Sequence, residues 1–248
     1  MTTPPATDTP RPPRLSATTV VVRPAAQGLE VLMLERADKG DRNSGAWVFP
    51  GGLLDPADRG LHACCAGLDD ATASARLGVP EGGLDFYVAA IRETFEEAGL
   101  LFARDANGRL PTSGALAKLA PLRGPVARGE HAFDLLCRDH GLELAPDLLH
   151  YIAHRVTPQG LPKRFDTRFF LAVAPPGQQA DRDATELVQH GWFDPREMRR
   201  EDPARKLLQV TRSILDLLAG FDDLGSLLRW AESPRVVERI ERKMPTQP

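Results

Sequence analysis

Glu93, Glu96 and Glu97 fall within one short stretch of a 248-residue chain. In a helix their i, i+3, i+4 spacing puts three carboxylates on one face. Like charges so placed repel by roughly 0.2–0.5 kcal/mol per pair. Arg92 offsets only part of that, by pairing with Glu96 at i+4. The chemistry such a set suits is capture of a hard divalent cation. Mg²⁺ prefers carboxylate oxygens and keeps positions open for phosphate and water. A solvated acidic face is the other reading of the helix taken alone.

The elements that must position these residues lie on either side. Val88, Ile91, Phe95 and Ala98 supply a core-facing stripe for a helix over residues 89–98. Gly99 ends it as a glycine just past a helix terminus does. Upstream, Trp47-Val48-Phe49-Pro50-Gly51-Gly52 reads as a short strand running into a turn. There the backbone can approach a ligand closely and offer a bare carbonyl. Together the two segments resemble the Nudix box of the Nudix hydrolases: G, five residues, E, seven residues, then R-E-U-x-E-E-x-G-U, with U aliphatic. Gly52 is the first glycine, and Arg92 to Leu100 is the second half, with Thr94 at its first U. The box's first glutamate falls at Asp58, a shorter carboxylate. Between Asp58 and Arg92 stand 33 residues (59 to 91) where the usual box has seven, so about 26 are inserted.

The resemblance implies an α/β fold, an α/β/α sandwich on a mixed central sheet, here with a helical insertion and C-terminal helices. It implies Mg²⁺ or Mn²⁺ held by Glu93, Glu96 and Glu97 with the carbonyl of Gly51. It also implies catalysis by Glu93 steadied by Arg92, and support from Gly52, Asp58 and Gly99. In the second half of the chain, Arg164-Phe165-Asp166-Thr167-Arg168-Phe169-Phe170, Asp183-Ala184-Thr185-Glu186 and Trp192-Phe193-Asp194-Pro195 are similar to one branch of that family. The branch includes the mammalian peroxisomal coenzyme A diphosphatases and bacterial relatives. Glu186 thereby becomes a candidate fourth carboxylate, a metal ligand or the base that activates water. Strand alternation puts Arg164, Asp166 and Arg168 on one face, and a guanidinium fork matches phosphate oxygens. Arg36, Arg164 and Arg168 are therefore the candidate substrate contacts. A coenzyme A signature ahead of the box is partial, because Ala37 stands where serine is usual. The implied reaction is hydrolysis of a diphosphate linkage in a small molecule, with coenzyme A or its acyl esters favoured. A nucleotide sugar, NADH, a dinucleoside polyphosphate, or a non-catalytic nucleotide-sensing module stays open.

Composition narrows the classes. A net charge of −3 gives no reason to expect nucleic acid or a membrane surface as partner. Three cysteines make no C-x-x-C pair and predict neither a zinc site nor a disulfide framework. No apolar run approaches bilayer-spanning length, and the expected compartment is the cytoplasm. The oligomeric state is not legible. Residues 1–16, rich in proline, read as a disordered tail, and residues 17–232 as a single domain. Residues 59–85 read as the insertion, with a short Asp-capped helix at 70–77 and a Gly-rich, loop-like far end. After the box, residues 100–103 are expected to continue as strand, and 113–140 to form two helical pieces broken by Pro121 and Pro125. Strands follow at 148–156 and 164–173. Amphipathic helices are expected from about 205, and the charged end from 233 reads as a tail that continues as helix before fraying. All six histidines read as structural or surface residues.

Overall fold

The β-branched run Thr18-Thr19-Val20-Val21-Val22 forms the middle of the strand on which the sheet is built. The computed structural model describes residues 12–38, 40, 43–130, 132–181 and 187–241. In it β1 (Arg14–Ala25) pairs antiparallel with β2 (Gly28–Arg36), parallel with β8 (Phe165–Val173) and, at its start, antiparallel with β4 (Gly51–Leu53). The strand order is β10-β3-β2-β1-β8-β7-β11, with β4 beside β1 and β9 beside β2. The remaining members are β3 (Ala46–Val48), β7 (His150–Val156), β9 (Leu187–Phe193), β10 (Lys206–Leu207) and β11 (Arg239–Glu241). Parallel pairs (β10 with β3, β1 with β8, β7 with β11) occur beside antiparallel ones, so the sheet is mixed.

Period-2 alternation sends successive residues to opposite faces. Ala17, Val21, Leu32 and Leu34 enter one core with α1 (Asp70–Leu77) and α2 (Gly83–Ala98). Val20, Val22, Val31 and Met33 enter the other. There they meet Ile214, Leu215 and Leu218 of α7 (Gln209–Leu218) and Leu227 of α8 (Leu224–Glu232). The expected sandwich is therefore present, with the carboxylate-bearing helix α2 in one layer and the C-terminal helices in the other.

Several boundaries differ from expectation. β1 begins at Arg14, inside the span read as tail, because Leu53 and residues 165–167 offer its backbone partners. Residues 1–11 of that expected tail lie outside the described residues. Helix α2 begins at Gly83 rather than beyond the insertion. Its first amides are satisfied by α1: Asp70 accepts from the N–H groups of Gly82 and Leu84, and Ser74 Oγ from that of Gly83. A Cβ on Gly83 would stand 2.2 Å from the Ser74 nitrogen, so only glycine lets α1 lie this close. Residues 100–102 are buried without forming a strand, and only β5 (Ala103–Arg104) pairs, with β6 (Glu143–Leu144). The region after it holds α3 (Ser113–Leu116), α4 (Arg123–Ala127) and α5 (Phe133–Asp139), and Pro125 sits inside α4, in its first turn, rather than breaking a helix. Within the charged end Arg239–Glu241 forms β11 on β7 instead of a helix, and residues 242–248 lie outside the described residues.

Candidate active site

Gly51 and Gly52, expected in a turn, instead open strand β4 on β1, and α2 packs against that strand. Glu97 Oε2 accepts the Gly51 N–H at 2.9 Å. A Cβ on Gly52 would lie 2.4 Å from the Glu93 carboxyl, so that side chain is seated directly against the glycine. Gly51 is needed for a different reason, because its Cβ would meet the Ala17 carbonyl at 2.5 Å and the Thr18 Cα at 2.7 Å. Hence Gly51→Ala should strain backbone against backbone and lower the melting temperature. Gly52→Ala meets only the movable end of a side chain. It should leave melting nearly unchanged while cutting turnover tenfold or more, on the order of the cost of misplacing a reacting group. Thermal melts run beside rate measurements separate the two.

Arg92 organises the rest. Its Nε and Nη2 form a fork on Asp58, at 2.8 and 3.1 Å, and Nη2 also donates to the Leu53 carbonyl. Its Nη1 donates to Glu93 Oε1 at 2.7 Å and Glu96 Oε1 at 3.2 Å. Burial alone would lower the Arg92 pKa, but Asp58, Glu93 and Glu96 outweigh it and raise it. Asp58 is fully buried and also accepts the Asp55 N–H at 2.7 Å. Burial, then the neighbouring Glu93 charge, pushes Glu96 up to about 7 despite Arg92.

Among the described residues no three His, Cys, Asp or Glu side chains are grouped to hold an ion as they stand. The carboxylate oxygens are drawn instead to Arg92 and to the Gly51 N–H. The donor chemistry nevertheless fits a hard divalent cation. Glu93 and Glu96 share one guanidinium, Glu97 lies on the same turn of helix, and Glu96 is held only weakly acidic.

The other expected residues are placed as follows. Glu186 lies outside the described residues. Beside it in the chain, the Asp181 N–H donates to the Ala98 carbonyl at the end of α2, and Leu187 pairs with Arg36 at the end of β2. Arg36 itself sits at an irregular step of that ladder, and no described contact joins it to α2. Arg164, Asp166 and Arg168, expected to share one strand face, are engaged by neighbours within the fold. Arg164 precedes β8 and is held by Glu241 at 2.6 Å and by the Thr157 carbonyl. Arg168 is buried, paired with Asp166 and laid over the Phe86 ring at 4.5 Å. Asp166 also binds His154 Nε2 at 2.6 Å. This face is closed by α2 and β11, which alternation alone cannot show. Gly99 adopts φ 66° and ends α2 as expected.

The insertion is closed at its base by Asp85, which pairs with Arg59 at 3.0 Å and His62 at 2.7 Å. A cavity of about 580 Å³ opens within it, lined by His62, Cys65, Asp70, Arg76 and Leu84 among others. The three cysteines are free, and burial pushes the Cys65 and Cys137 thiols up to about 12. No helix among the described residues is long and apolar enough to cross a membrane.

Comparison with known proteins shows what the chain as a whole is similar to. The family model described as the NUDT19 Nudix domain matches residues 67–209. The human protein named acyl-coenzyme A diphosphatase NUDT19 is 30% identical over 261 residues, covering 90% of this chain and 68% of that protein. The protein of the same name from Gallus gallus is 30% identical over 260 residues, covering 87% and 68%. A crystal structure of a Nudix hydrolase from Alicyclobacillus acidocaldarius superimposes with a TM-score of 0.73 at 29% identity, covering 88% of this chain and 96% of that one.

Proposed function

Because the chain belongs to the Nudix hydrolase family, in the group of the NUDT19 Nudix domain, we propose that it cleaves the diphosphate linkage of coenzyme A or an acyl-CoA with Mg²⁺ or Mn²⁺ as cofactor. The observation that carries this reading is the meeting of Glu93 and Glu97 with Gly51 and Gly52 at the start of β4. The names of the human and Gallus gallus relatives support coenzyme A esters over nucleotide sugars, NADH and dinucleoside polyphosphates.

A divalent cation, when bound, neutralises charge on the two phosphates and lowers the pKa of the attacking water. Glu96, Glu97 and the Gly51 carbonyl are the groups proposed to hold it. Glu93, oriented by Arg92 Nη1, is proposed to take the proton of the water as its oxygen bonds to phosphorus. The bridging P–O bond then breaks, and two phosphomonoesters leave. Glu186 is the second candidate for that proton transfer. Asp58 holds Arg92 in place, and Gly52 leaves room for Glu93 against β4.

The test is turnover of a panel of diphosphate compounds with Mg²⁺, with Mn²⁺ and with chelator, the products identified by mass spectrometry. Coenzyme A or an acyl-CoA should be the best substrate, and chelation should remove essentially all turnover. Binding of a nucleotide without turnover would point to a sensor module instead.

A further inference from the structure

We propose that Arg123 is a positioning residue for the last turn of α2, holding the main chain from which Glu96 and Glu97 project. It builds on the proposed cation site and adds a residue that the box motif does not contain.

The end of a helix leaves its final carbonyls without intrahelical partners. In α2 they are met by its own terminal Gly99 and by two segments from elsewhere in the chain. The Phe95 carbonyl accepts the Gly99 N–H at 3.0 Å, and the Ala98 carbonyl accepts the Asp181 N–H at 2.9 Å. The Glu96 carbonyl accepts two bonds from Arg123, from Nε at 3.2 Å and Nη2 at 2.9 Å. The same Nη2 donates to the Asp181 carbonyl at 2.7 Å, which ties the segment capping Ala98 to the guanidinium that caps Glu96. Arg123 opens α4 and is 8% exposed, while its carboxylate neighbour, Asp181 Oδ2, is 3.6 Å away on a side chain 79% exposed. Its described hydrogen bonds go to main-chain oxygens, which a lone surface ion pair would not require.

The electrostatics explain why a cation is needed there. The C-terminal turn of a helix carries the negative end of its dipole. Glu96 and Glu97 sit in that turn, the unfavourable end for a carboxylate, with Glu93 one turn earlier. Arg92 answers the side chains, and Arg123 answers the backbone. Gly99 belongs to the same device. A Cβ there would stand 3.1 Å from Arg123 Nη1, in addition to the strain of its positive φ. The glycine that closes the box thus keeps space for the guanidinium.

The experiment compares full-length wild type with Arg123→Gln and Arg123→Lys by three readouts. These are calorimetric Mn²⁺ binding, amide hydrogen exchange of the metal-free protein, and kcat and KM on the best substrate. Arg123→Gln should weaken Mn²⁺ binding about fivefold to tenfold, lower kcat about tenfold, leave KM within about twofold, and speed exchange at residues 99–101 about tenfold. Arg123→Lys restores the charge without the fork. It should recover part of the Mn²⁺ affinity and little of the exchange protection. If Arg123→Gln lowers only the melting temperature, with Mn²⁺ affinity and kcat as in wild type, the residue is merely structural and the proposal fails. Should that variant not fold, wild-type values for Arg123→Lys in all three readouts overturn it equally. A wild-type protein that neither binds Mn²⁺ nor turns over would defeat the functional reading instead, and metal-free exchange would still judge the fork.

Discussion

Glu97→Gln should lower turnover on the order of 10²–10³-fold, about 3–4 kcal/mol of lost transition-state stabilisation, while the protein stays folded. The substitution keeps the shape of the side chain and an oxygen that can accept the Gly51 N–H, now held at 2.9 Å. Strand β4 and the helix end therefore stay together, and the melting temperature should move by no more than about 3 °C, the scale of one weakened hydrogen bond. What disappears is one negative charge from a set of three that a dication would share. Mn²⁺ binding should weaken in step with kcat. A purified Glu97→Gln protein hydrolysing at the wild-type rate would remove Glu97 from the cation site and leave its bond to Gly51 as a purely structural one.

That much rests on residues whose spacing is visible in the chain. Glu93, Glu96 and Glu97 announce themselves because a helix repeats every 3.6 residues, and Gly99 marks its end. The two strands of the first hairpin and the Asp69 cap of α1 are equally local, and they appear where the pattern puts them. The start of β1 and the existence of β11 are not local. Arg14, Leu15 and Ser16 look like the end of a tail until Leu53 and residues 165–167 supply partners far along the chain. Parallel pairing leaves no turn signal between its strands, so β11 on β7 has nothing in the sequence to announce it. Arg164 and Arg168 show the same limit at the level of side chains. Alternation rightly places Asp166 and Arg168 on one face, but only the packing of Phe86 over Arg168 shows that the face is closed. Arg123 was invisible for another reason. It acts on main-chain carbonyls, and these have no signature in residue types.

The split in the box is tolerated because its two halves are joined in space by side chains rather than by a short loop. The chain leaves the site at Asp58 and returns into α2. Asp58–Arg92 and Arg59–Asp85 bridge the gap at two heights along the helix. Lengthening a closed loop costs little once its base is fixed, because closure entropy grows only logarithmically. An insertion of about 26 residues can therefore hang from this clasp, carrying its own helix and cavity, without moving the carboxylates.

The clasp predicts that Asp58→Ala is the most damaging single change to stability near the site. Asp58 is 0% exposed, and its two oxygens answer three donors: Nε and Nη2 of Arg92 and the Asp55 N–H. Removing one partner of a buried ion pair costs up to about 3–5 kcal/mol, the upper end here being lessened because Glu93 and Glu96 still pair with Arg92. For a domain of this size that corresponds to a fall in melting temperature of roughly 10 °C. Arg92 would then be free to close further on Glu93 and Glu96, so turnover should fall with stability. The shorter carboxylate at this box position has a structural reason as well. Asp55 and Asp58 form a reciprocal capping box at the start of the 3-10 turn Pro56–Cys64, in which the Asp58 side chain folds back on the Asp55 N–H. An aspartate spans that bond and the Arg92 fork together. Asp58→Glu would restore the usual box residue but add a methylene to a site with no room, costing about 1–3 kcal/mol. Thermal unfolding of both variants decides the matter. Melting within about 2 °C of wild type for Asp58→Ala, where the buried-pair estimate demands several times that, would show that the fork on Arg92 is dispensable.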